Sequence, residues 1–576
     1  IAQSQLMPQP RERDYFYTGS FMVFCFWIGI GAYYLAELLR SKKDSAAVVG
    51  GSIAVSILLV PVIMGANGWK IHSRAGNYLP FDFAYNILQS CEKDAILFTV
   101  GDNDTFPLWN IQDVLGVRRD VRVVNLSLGG TEWYCRELRD RQPWGAKSIP
   151  LTILDNQELF KNNYVVERPK ELRVSVPLDV MRKYTSNDSI LANPTFNITY
   201  RGRNQSAGKD MLVYMVDDML IWDIIKTTKF ERPVYFCATA AYDAQQHGLD
   251  RFLRNEGMAM RLCPVEQVGS SYVPAYDEKI TMDCLVNNVD NSNNYNTDQH
   301  YGFKFRNLNN MDVYYDDVHR KYLESYRDLY LQFSSYLVSI KKDTVNGIKV
   351  IDKMMEQISP TQFPLLYNRM VQIARLYKEA GATAQAEKYA KLALTNAKLV
   401  IDNPHLRNAQ SHTLYEEFTG RGRNGVDGAY KSLAAAYSII GDYDNAVAIY
   451  TTLADKIQEQ MAKMGNNKSA KQEVELYQRN MGSIIGLIVY MTEERLNEIK
   501  KQKGEDAAIS EGEKILAKFS EKKDEFNQVI AQQLQMTFKR LKGENIAELM
   551  EPAQEWLRRV HSVVIINRRP ESYETV

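Results

Sequence analysis

The sequence predicts a membrane-anchored α/β plus all-α protein. We expect a transmembrane helical hairpin, then an α/β domain with a mostly parallel sheet, then a tetratricopeptide-like helical repeat domain. Three observations predict this class: two long apolar segments near the N-terminus, short β-type runs that alternate with helical ones between about Pro80 and Pro264, and two similar helix pairs further on. With 576 residues, the chain is too long for one ordinary domain.

The two apolar segments have the length and composition of transmembrane helices. The first, 15–39, carries one charge, and the second, 46–66, carries none. Each exceeds the roughly 18 to 20 apolar residues that are needed to cross a bilayer. The connection, 40–45, is rich in Lys and Arg, so the positive-inside rule places it in the cytoplasm. Everything after about Asn67 is then expected on the non-cytoplasmic side.

The first residues also indicate a membrane context. Residues 1–14 form a polar strip that leads straight into the first span, and residue 1 is Ile. This pattern is typical of a loop between membrane helices. We therefore expect that further sequence precedes Ile1.

Composition argues against several classes of function. Lys+Arg and Asp+Glu both number 70, so no basic face for a nucleic acid is predicted. The cysteines form no CxxC pair and the histidines show no HExxH spacing, so we predict no metal site and no cofactor. Four cysteines with apolar or aromatic neighbours are expected to be plain buried thiols: Cys25, Cys135, Cys237 and Cys263.

Residues 67–286 are predicted to form the α/β domain. Strands are predicted in AILFTV, DVRVVNLSL and RPVYFCATAA, which begin at Ala95, Asp120 and Arg232. Helices are predicted in FPLWNIQDVLG, in TEWYCRELRDR with Thr131 as N-cap, and in DMLVYMVDDMLIWDIIKTT, where apolar residues recur at helical spacing. Alternation of this kind favours a mostly parallel sheet with covering helices.

A ligand site is predicted where these strands end, because ligands of open α/β sheets bind beyond the carboxyl ends of the strands. The ends read GDNDT, SLGGTEWY and ATAAYD, which combine carboxylates and hydroxyls with aromatic faces, a composition that suits sugars. The candidate ligand-binding residues are Asp102, Asn103, Asp104, Thr105, Trp109, Ser127, Thr131, Glu132, Trp133, Thr239 and Tyr242.

Each of these residues also has a structural interpretation. Asp104 or Thr105 would cap the helix that begins near Pro107, and Asn103 would tolerate a left-handed turn. Trp109 and Trp133 would be core anchors. A third interpretation makes Asp102 and Asp104 the metal ligands of a nucleotide-sugar transferase. Topology argues against it, because nucleotide sugars are cytoplasmic donors whereas this domain is expected outside.

The remaining sequence is predicted to be a linker and a helical domain. Residues 287–300 are polar and rich in Asn, which indicates a loop or exposed linker, and the linker is predicted to span 287–312. In 313–576 two helix pairs resemble tetratricopeptide units, with small residues at the helix contacts and glycines at Gly381 and Gly441. They lie about sixty residues apart instead of thirty-four, so a regular solenoid is doubtful. Such arrays commonly bind partner proteins on a concave face.

Three stretches resemble a known family: DYFYTGSFMVFCFWIGIGAYYLAE, GDNDTFPLWNIQDVLGVRRDVRVVNLSL and RFLRNEGMAMRLCPV. In this order they are similar to the C-terminal half of a family of polytopic bacterial membrane proteins, abundant in Bacteroidetes and related to protein O-mannosyltransferases. The resemblance covers most of the chain up to about Pro264, and it implies a glycosyltransferase that takes a lipid-linked sugar and modifies exported acceptor proteins. It also implies a bacterial inner membrane location with the bulk of this chain in the periplasm.

In such enzymes the catalytic acid is expected in an early loop between N-terminal membrane helices, so no catalytic residue is assigned here. The resemblance implies that this chain serves acceptor binding or scaffolding. An alternative hypothesis is a non-enzymatic, membrane-anchored envelope scaffold that binds partner proteins through its helical repeats. The two differ in whether changes at the strand ends alter glycosylation of exported proteins.

Overall fold

The computed structural model describes residues 17–42, 45–203, 211–267, 274–403, 428–464, 471–522 and 524–541. These residues form two compact units. The first runs up to Tyr330 and includes Lys353–Phe363, and the second comprises Leu331–Asp352 and the residues from Pro364 onwards.

Two apolar helical segments begin the described chain. Helix α1 is Thr18–Lys42; α2 is Ala46–Ile57 and continues through a π-helical turn at Leu58–Val62 into α3, Ile63–His72. The turn contains Pro61, which lacks the N–H that an α-helix needs at that position. The two segments have 25 and 27 residues and are long and apolar enough to cross a membrane. Segments of this kind serve as a membrane anchor or as a signal sequence.

A six-stranded mixed sheet forms the centre of the α/β region. Its order is β10-β8-β9-β7-β1-β2. Strands β7, β1 and β2 are parallel neighbours, whereas β9 runs antiparallel to both β7 and β8. The strands of this sheet are β1 Ile96–Thr99, β2 Arg122–Asn125, β7 Val234–Cys237, β8 Leu253–Glu256, β9 Ala259–Leu262 and β10 Ala275–Tyr276.

The sheet is mixed: three of its five strand pairings are parallel, and β9 runs opposite to the other five strands because a tight hairpin in RFLRNEGMAMRLCPV joins β8 to β9. Strands β8 and β9 are joined by Gly257 and Met258 alone. A connection this short can join only antiparallel strands, since a parallel pair needs a crossover of a dozen or more residues. Gly257 has φ +61°, which a glycine adopts without strain.

The same unit also contains two small antiparallel sheets of two strands each. They are formed by β3 Tyr164–Glu167 with β6 Leu212–Met215, and by β4 Lys170–Ser175 with β5 Thr195–Tyr200. Strand β6 lies in the run DMLVYMVDDMLIWDIIKTT, whose helical spacing predicts one long helix. The helix begins only at Val216, because Leu212–Met215 pair with β3. Tertiary pairing thus overrides the helical pattern there.

The helices of this unit are mostly short. They are α4 Leu79–Ser90, α5 Asp102–Leu115, α6 Leu126–Gly129, α7 Glu132–Asp140, α8 Gln157–Asn162, α9 Leu178–Met181, α10 Asp188–Ala192, α11 Val216–Thr228, α12 Ala241–Gln246 and α13 Glu278–Met282. A π-helical turn follows at Asp283–Asn287, and 3-10 turns lie at Pro143–Gly145, Ile153–Asp155, Ala238–Ala240 and Asp250–Phe252.

Both faces of the sheet are covered, as the continuous apolar runs of its central strands predict. On β1, Ile96 and Phe98 belong to one core, which includes side chains of α11. Leu97, between them, belongs to the opposite core with α4 and α5. This alternation follows from the two-residue period of a strand.

The predicted linker 287–312 is only partly exposed: residues 290–298 are exposed, as their composition indicates, whereas residues 302–306 are buried against α4. Phe303 and Phe305 are fully or almost fully buried. Asn86 Nδ2 donates to the Lys304 carbonyl at 2.9 Å, and Lys304 N donates to Asn86 Oδ1 at 2.8 Å. Arg306 forms a buried ion pair with Asp82 at 2.6 Å. Polar side chains here satisfy backbone groups inside the protein, so composition alone does not reveal the burial.

The second unit is helical throughout its described part. Helix α14, Asp317–Ser335, begins in the first unit, and a π-helical turn at Tyr336–Lys341 and α15, Thr344–Gln357, follow it. Each helix from α16 onwards packs against the next. The helices are α16 Tyr367–Glu379, α17 Thr383–Asp402, α18 Ala429–Ile439, α19 Tyr443–Met464, α20 Lys471–Lys503, α21 Glu505–Ser520 and α22 Glu525–Leu541.

The two predicted helix pairs are present, as α16 with α17 and α18 with α19. Gly381 and Gly441, at the turns, have φ of +83° and +82°. The same hydrogen bond closes each turn, from Ala382 N to Tyr377 O at 2.8 Å and from Asp442 N to Tyr437 O at 2.9 Å. The tetratricopeptide character of these pairs stays a prediction.

Candidate functional site

Three strand ends meet at one edge of the sheet, as the sequence predicts. Strands β1, β2 and β7 are parallel neighbours that end at Thr99, Asn125 and Cys237. The segments that follow them therefore leave the sheet at the same edge. These segments carry the eleven candidate residues.

The turn after β1 places its two acidic side chains in different environments. Gly101 has φ +80° and precedes α5, whose first two residues, Asp102 and Asn103, are exposed. Asp104 is buried; one carboxylate oxygen accepts from Thr105 N at 3.0 Å and the other accepts from the Thr239 hydroxyl. Burial raises the pKa of Asp104, although the hydrogen bond from Thr239 opposes the shift. Asp104 thus joins the ends of β1 and β7.

Thr105 is the centre of a buried hydrogen-bond network that joins β1 to β2. Its hydroxyl donates to the Gly101 carbonyl at 2.7 Å and contacts the Thr99 hydroxyl at 2.7 Å. Asn125 Nδ2 donates to the Thr105 hydroxyl at 2.9 Å and to the Gly101 carbonyl at 3.1 Å. Neither Asp104 nor Thr105 caps the first helical N–H groups in the usual way, since the N-cap residue of α5 is Gly101. Thr105 is thus positioned to hold the turn.

The segment after β2 presents the most accessible candidates. Thr131 is the N-cap residue of α7, as predicted, but its hydroxyl donates to the Leu128 carbonyl at 2.7 Å instead of capping the helix. Glu132 forms an ion pair with Arg136 at 2.5 Å. Trp133 is 57% exposed and packs edge-on against Tyr134, so it is not a core anchor.

An open cleft of about 390 Å³ lies beside Thr131 and Glu132. Its other lining residues come from the turn before α7 and from α8 and its C-cap: Gly130, Gln157, Phe160, Lys161 and Asn163. Volumes of 300 to 1,000 Å³ are typical of small-molecule sites. The four residues from 157 to 163 carry no motif, and sequence reasoning did not single them out.

The remaining candidates lie apart from this cleft. Trp109 is half-buried, contacts the cores on both faces of the sheet and lies 5.8 Å from the Phe106 ring. Trp109 is thus the core anchor of the structural interpretation. Ser127, Thr239 and Tyr242 are exposed after β2 and β7, and Thr239 is engaged with Asp104.

A second polar cluster, absent from the sequence predictions, surrounds His247. His247 is fully buried; its Nδ1 lies 2.6 Å from the Arg201 carbonyl oxygen and its ring stacks on Tyr200 with centroids 4.6 Å apart. Its Nε2 lies 3.2 Å from Asp218 Oδ1. Burial alone would raise the pKa of Asp218, but His247 and Arg203 outweigh it and hold that pKa below its ordinary value.

The cysteines are positioned as inert thiols, with one exception. Cys91, Cys135, Cys237, Cys263 and Cys284 are buried and free. Burial raises the pKa of Cys91, Cys135 and Cys263 to about 12, which suppresses the reactive thiolate. Cys25, expected to be buried, is exposed on α1, because no protein core covers that helix. Among the described residues, no group of three or more His, Cys, Asp or Glu is arranged to hold a metal ion.

Residues 80–207 and 206–283 match the family model of TMEM260-associated domain 2. The matched part contains β1 to β10 and all eleven candidate residues. No curated protein and no solved structure matches the chain. The TMEM260 group is related to O-mannosyltransferases, so the match and the two apolar helices are compatible with a glycosyltransferase-related membrane protein. The bacterial origin stays a prediction.

Proposed function

We propose that the α/β unit binds glycan or acceptor protein for a membrane glycosyltransferase related to protein O-mannosyltransferases. The enzyme would use a lipid-linked sugar, and this unit would serve acceptor binding on the periplasmic side of a bacterial inner membrane. One observation carries the proposal: an open, polar cleft lined by Thr131 and Glu132 follows β2 at the sheet edge, and the next residue of α7, Trp133, is exposed.

The chemistry of the cleft suits a ligand rich in hydroxyl groups. The Glu132 carboxylate accepts hydrogen bonds, Lys161 donates them, and the Gln157 and Asn163 amides do both. The rings of Phe160 and Trp133 offer apolar faces for the C–H surface of a sugar. A site that combines a few polar groups with aromatic surface selects ligands of mixed polarity.

The placement of this unit follows from the loop between the two apolar segments. Arg40 and Lys42 lie in the last turn of α1, immediately before that loop. Basic residues beside a span favour the cytoplasmic side, so the residues after α3 would lie on the opposite side. Exported proteins and lipid-linked sugars are both accessible there.

Tryptophan fluorescence tests binding directly. We would titrate the purified full chain with a mannosylated Ser/Thr peptide and with the same peptide unmodified. We expect a saturable change in emission that Trp133→Phe abolishes. Trp144→Phe is the matched control, since Trp144 lies in the same unit and is 53% exposed. Saturable signals that are equal in both variants, or no signal with either peptide, would exclude Trp133 from the site.

A second candidate function rests on the serial packing of α16 to α22. Helices that pack in series form extended surfaces that bind proteins. If the chain is an envelope scaffold, deletion of residues 364–576 should remove partner proteins from a pull-down while glycan profiles stay unchanged. Loss of glycosylation in that variant would favour the first proposal.

A further inference from the structure

A six-residue elbow joins the second apolar segment to the α/β region and is fixed at several points. It comprises residues 73–78, between α3 and α4. Asn307 Nδ2 donates to the Gly76 carbonyl at 2.8 Å, and Asn77 Nδ2 donates to the Tyr314 carbonyl at 3.4 Å. Arg74 lies 4.0 Å from Asp316. Each contact joins the elbow to one loop, 307–316.

Glycine at position 76 makes this contact close. Gly76 has φ +74°, and a Cβ there would lie 3.1 Å from both Asn307 Nδ2 and Val313 Cγ2. Val313 is buried in this contact region. The elbow and loop 307–316 are therefore packed together and not joined by a free tether.

The depth of the elbow follows from the length of the segment before it. The 27 residues from Ala46 to His72 form a helix about 40 Å long at 1.5 Å per residue. The hydrocarbon core is only about 30 Å thick, or roughly 20 residues. The last turns, with Trp69 and Lys70, then extend into the headgroup layer, where such side chains are enriched. The elbow begins at residue 73, directly after this last turn of α3.

Loop 307–316 is thereby held near the headgroups, and its exposed tip carries an apolar side chain. Residues 309–312 are exposed, and Met311, the apolar member among polar neighbours, is 60% exposed. A flexible thioether side chain adapts to an irregular apolar environment. Burial in the acyl boundary would remove this side chain from water.

We propose that loop 307–316 is a membrane contact in which Met311 enters the headgroup layer of a phospholipid bilayer. The inference rests on the proposed placement of α1 to α3 in a membrane. It means that the α/β unit is held in one orientation on the bilayer. Lipid is the occupant because the contact is continuous with the second span through the elbow.

Lipid-dependent quenching tests this contact in the full chain. In a Cys25→Ser background, Met311→Cys would carry an environment-sensitive fluorophore in phosphatidylcholine liposomes that contain a spin label near the headgroup. We expect several-fold stronger quenching than for Tyr164→Cys. Tyr164 is 46% exposed and belongs to β3, whose sheet packs in the core on the face opposite α4.

A variant that weakens the contact between the elbow and loop 307–316 tests the lipid contact of the loop separately from the membrane insertion of the helices. Asn307→Ala removes the hydrogen bond to Gly76, so it should weaken the quenching at Met311→Cys while the protein still floats with liposomes. Quenching at Met311→Cys no stronger than at Tyr164→Cys, in protein that floats, would overturn the lipid contact. Protein that fails to float would overturn the membrane placement as well.

Discussion

At the scale of single residues, the triplet Asp102, Asn103, Asp104 divides into a surface part and an internal part. Asp104 and Thr239 join two strand ends, whereas Asp102 and Asn103 are exposed. The sequence indicates that polar side chains gather at this edge, because parallel strands end together. The sequence does not distinguish which acid is buried, since both follow the end of β1 within five positions.

Asp104→Ala should therefore act on stability. Thr239 and the Thr105 N–H would lose their acceptor, which costs about 1–3 kcal/mol of the free energy of unfolding. Asp102→Ala should change that free energy by no more than about 0.5 kcal/mol. Thermal unfolding of the full chain in detergent measures the stability of the two variants against wild type. Equal stability of the two variants would show that Asp104 is not the internal tie that its contacts indicate.

The cluster around His247 makes a prediction about pH. The folded state lowers the pKa of Asp218, so this carboxylate contributes stability above its unfolded pKa of about 3.9 and loses it as pH falls through the lower folded pKa. Asp218→Asn should lower the free energy of unfolding by about 1.5–3 kcal/mol at neutral pH, because Arg203 and the Met215 N–H lose a buried carboxylate while Arg203 keeps its ion pair with Asp217.

The difference in the free energy of unfolding between wild type and Asp218→Asn should then decrease as the pH falls below about 4. Asp217, Asp243 and Tyr200 also face this cluster. Asp113→Asn, at an exposed position on α5, is the control. A difference that stays constant from neutral to strongly acidic pH would contradict the role of the ionised carboxylate.

At the scale of elements, the hairpin of β8 and β9 explains why RFLRNEGMAMRLCPV is distinctive. Glu256 is fully buried, accepts from the Tyr235 hydroxyl at 2.5 Å and pairs with Arg254 at 2.5 Å. Arg261 pairs with Glu92 at 2.6 Å. The charged residues of this stretch are therefore structural. The hairpin is not predictable from the sequence, because charged residues interrupt the alternation of apolar and polar residues that is typical of strands.

Gly257→Ala tests the close packing of this hairpin. A Cβ there would lie 2.6 Å from Ser90 Oγ and 3.0 Å from Phe303, so overpacking of about 1–3 kcal/mol should add to the backbone strain. Gly145→Ala is the control, since Gly145 has φ +84° and no atom within 4 Å of the added Cβ. It should cost only the left-handed strain, about 1–2 kcal/mol. Equal unfolding temperatures would exclude the steric explanation.

Other elements were predictable to different degrees. The strands β1, β2 and β7 are buried apolar runs, and each is where the sequence places it. Gly116, with φ +71°, ends α5 as predicted. Strand β6 and the buried residues 302–306 could not be predicted from the sequence, because both are decided by partners distant in sequence: β3 and α4. Of the seven residues that line the cleft, Thr131 and Glu132 were predicted candidates. Four of the others belong to α8 and its C-cap, which lie far from β2 in the sequence.

At the scale of the whole molecule, the two apolar segments are candidate membrane spans by length and composition. Their side chains are exposed in the structure, as expected for helices that face lipid instead of a protein core. An Arg at the centre of a span opposes insertion by about 2.5–3.5 kcal/mol. Val55 lies near the middle of the second predicted span and is 53% exposed.

Val55→Arg should therefore shift the protein out of the membrane fraction, and Val55→Leu should leave it there. Cell fractionation with alkaline extraction measures the distribution. The same distribution for both variants would argue that this segment is not a span.

The central claim is that the cleft lined by Glu132 and Lys161, together with the adjacent Trp133, serves protein glycosylation, and one measurement tests it most directly. In cells that lack the native copy, glycopeptide mass spectrometry of exported proteins would compare Trp133→Ala with Trp144→Ala at equal protein abundance. The account predicts a marked loss of glycan occupancy in Trp133→Ala and wild-type occupancy in Trp144→Ala. Wild-type occupancy in Trp133→Ala and in a Glu132→Gln, Lys161→Ala double variant would contradict it.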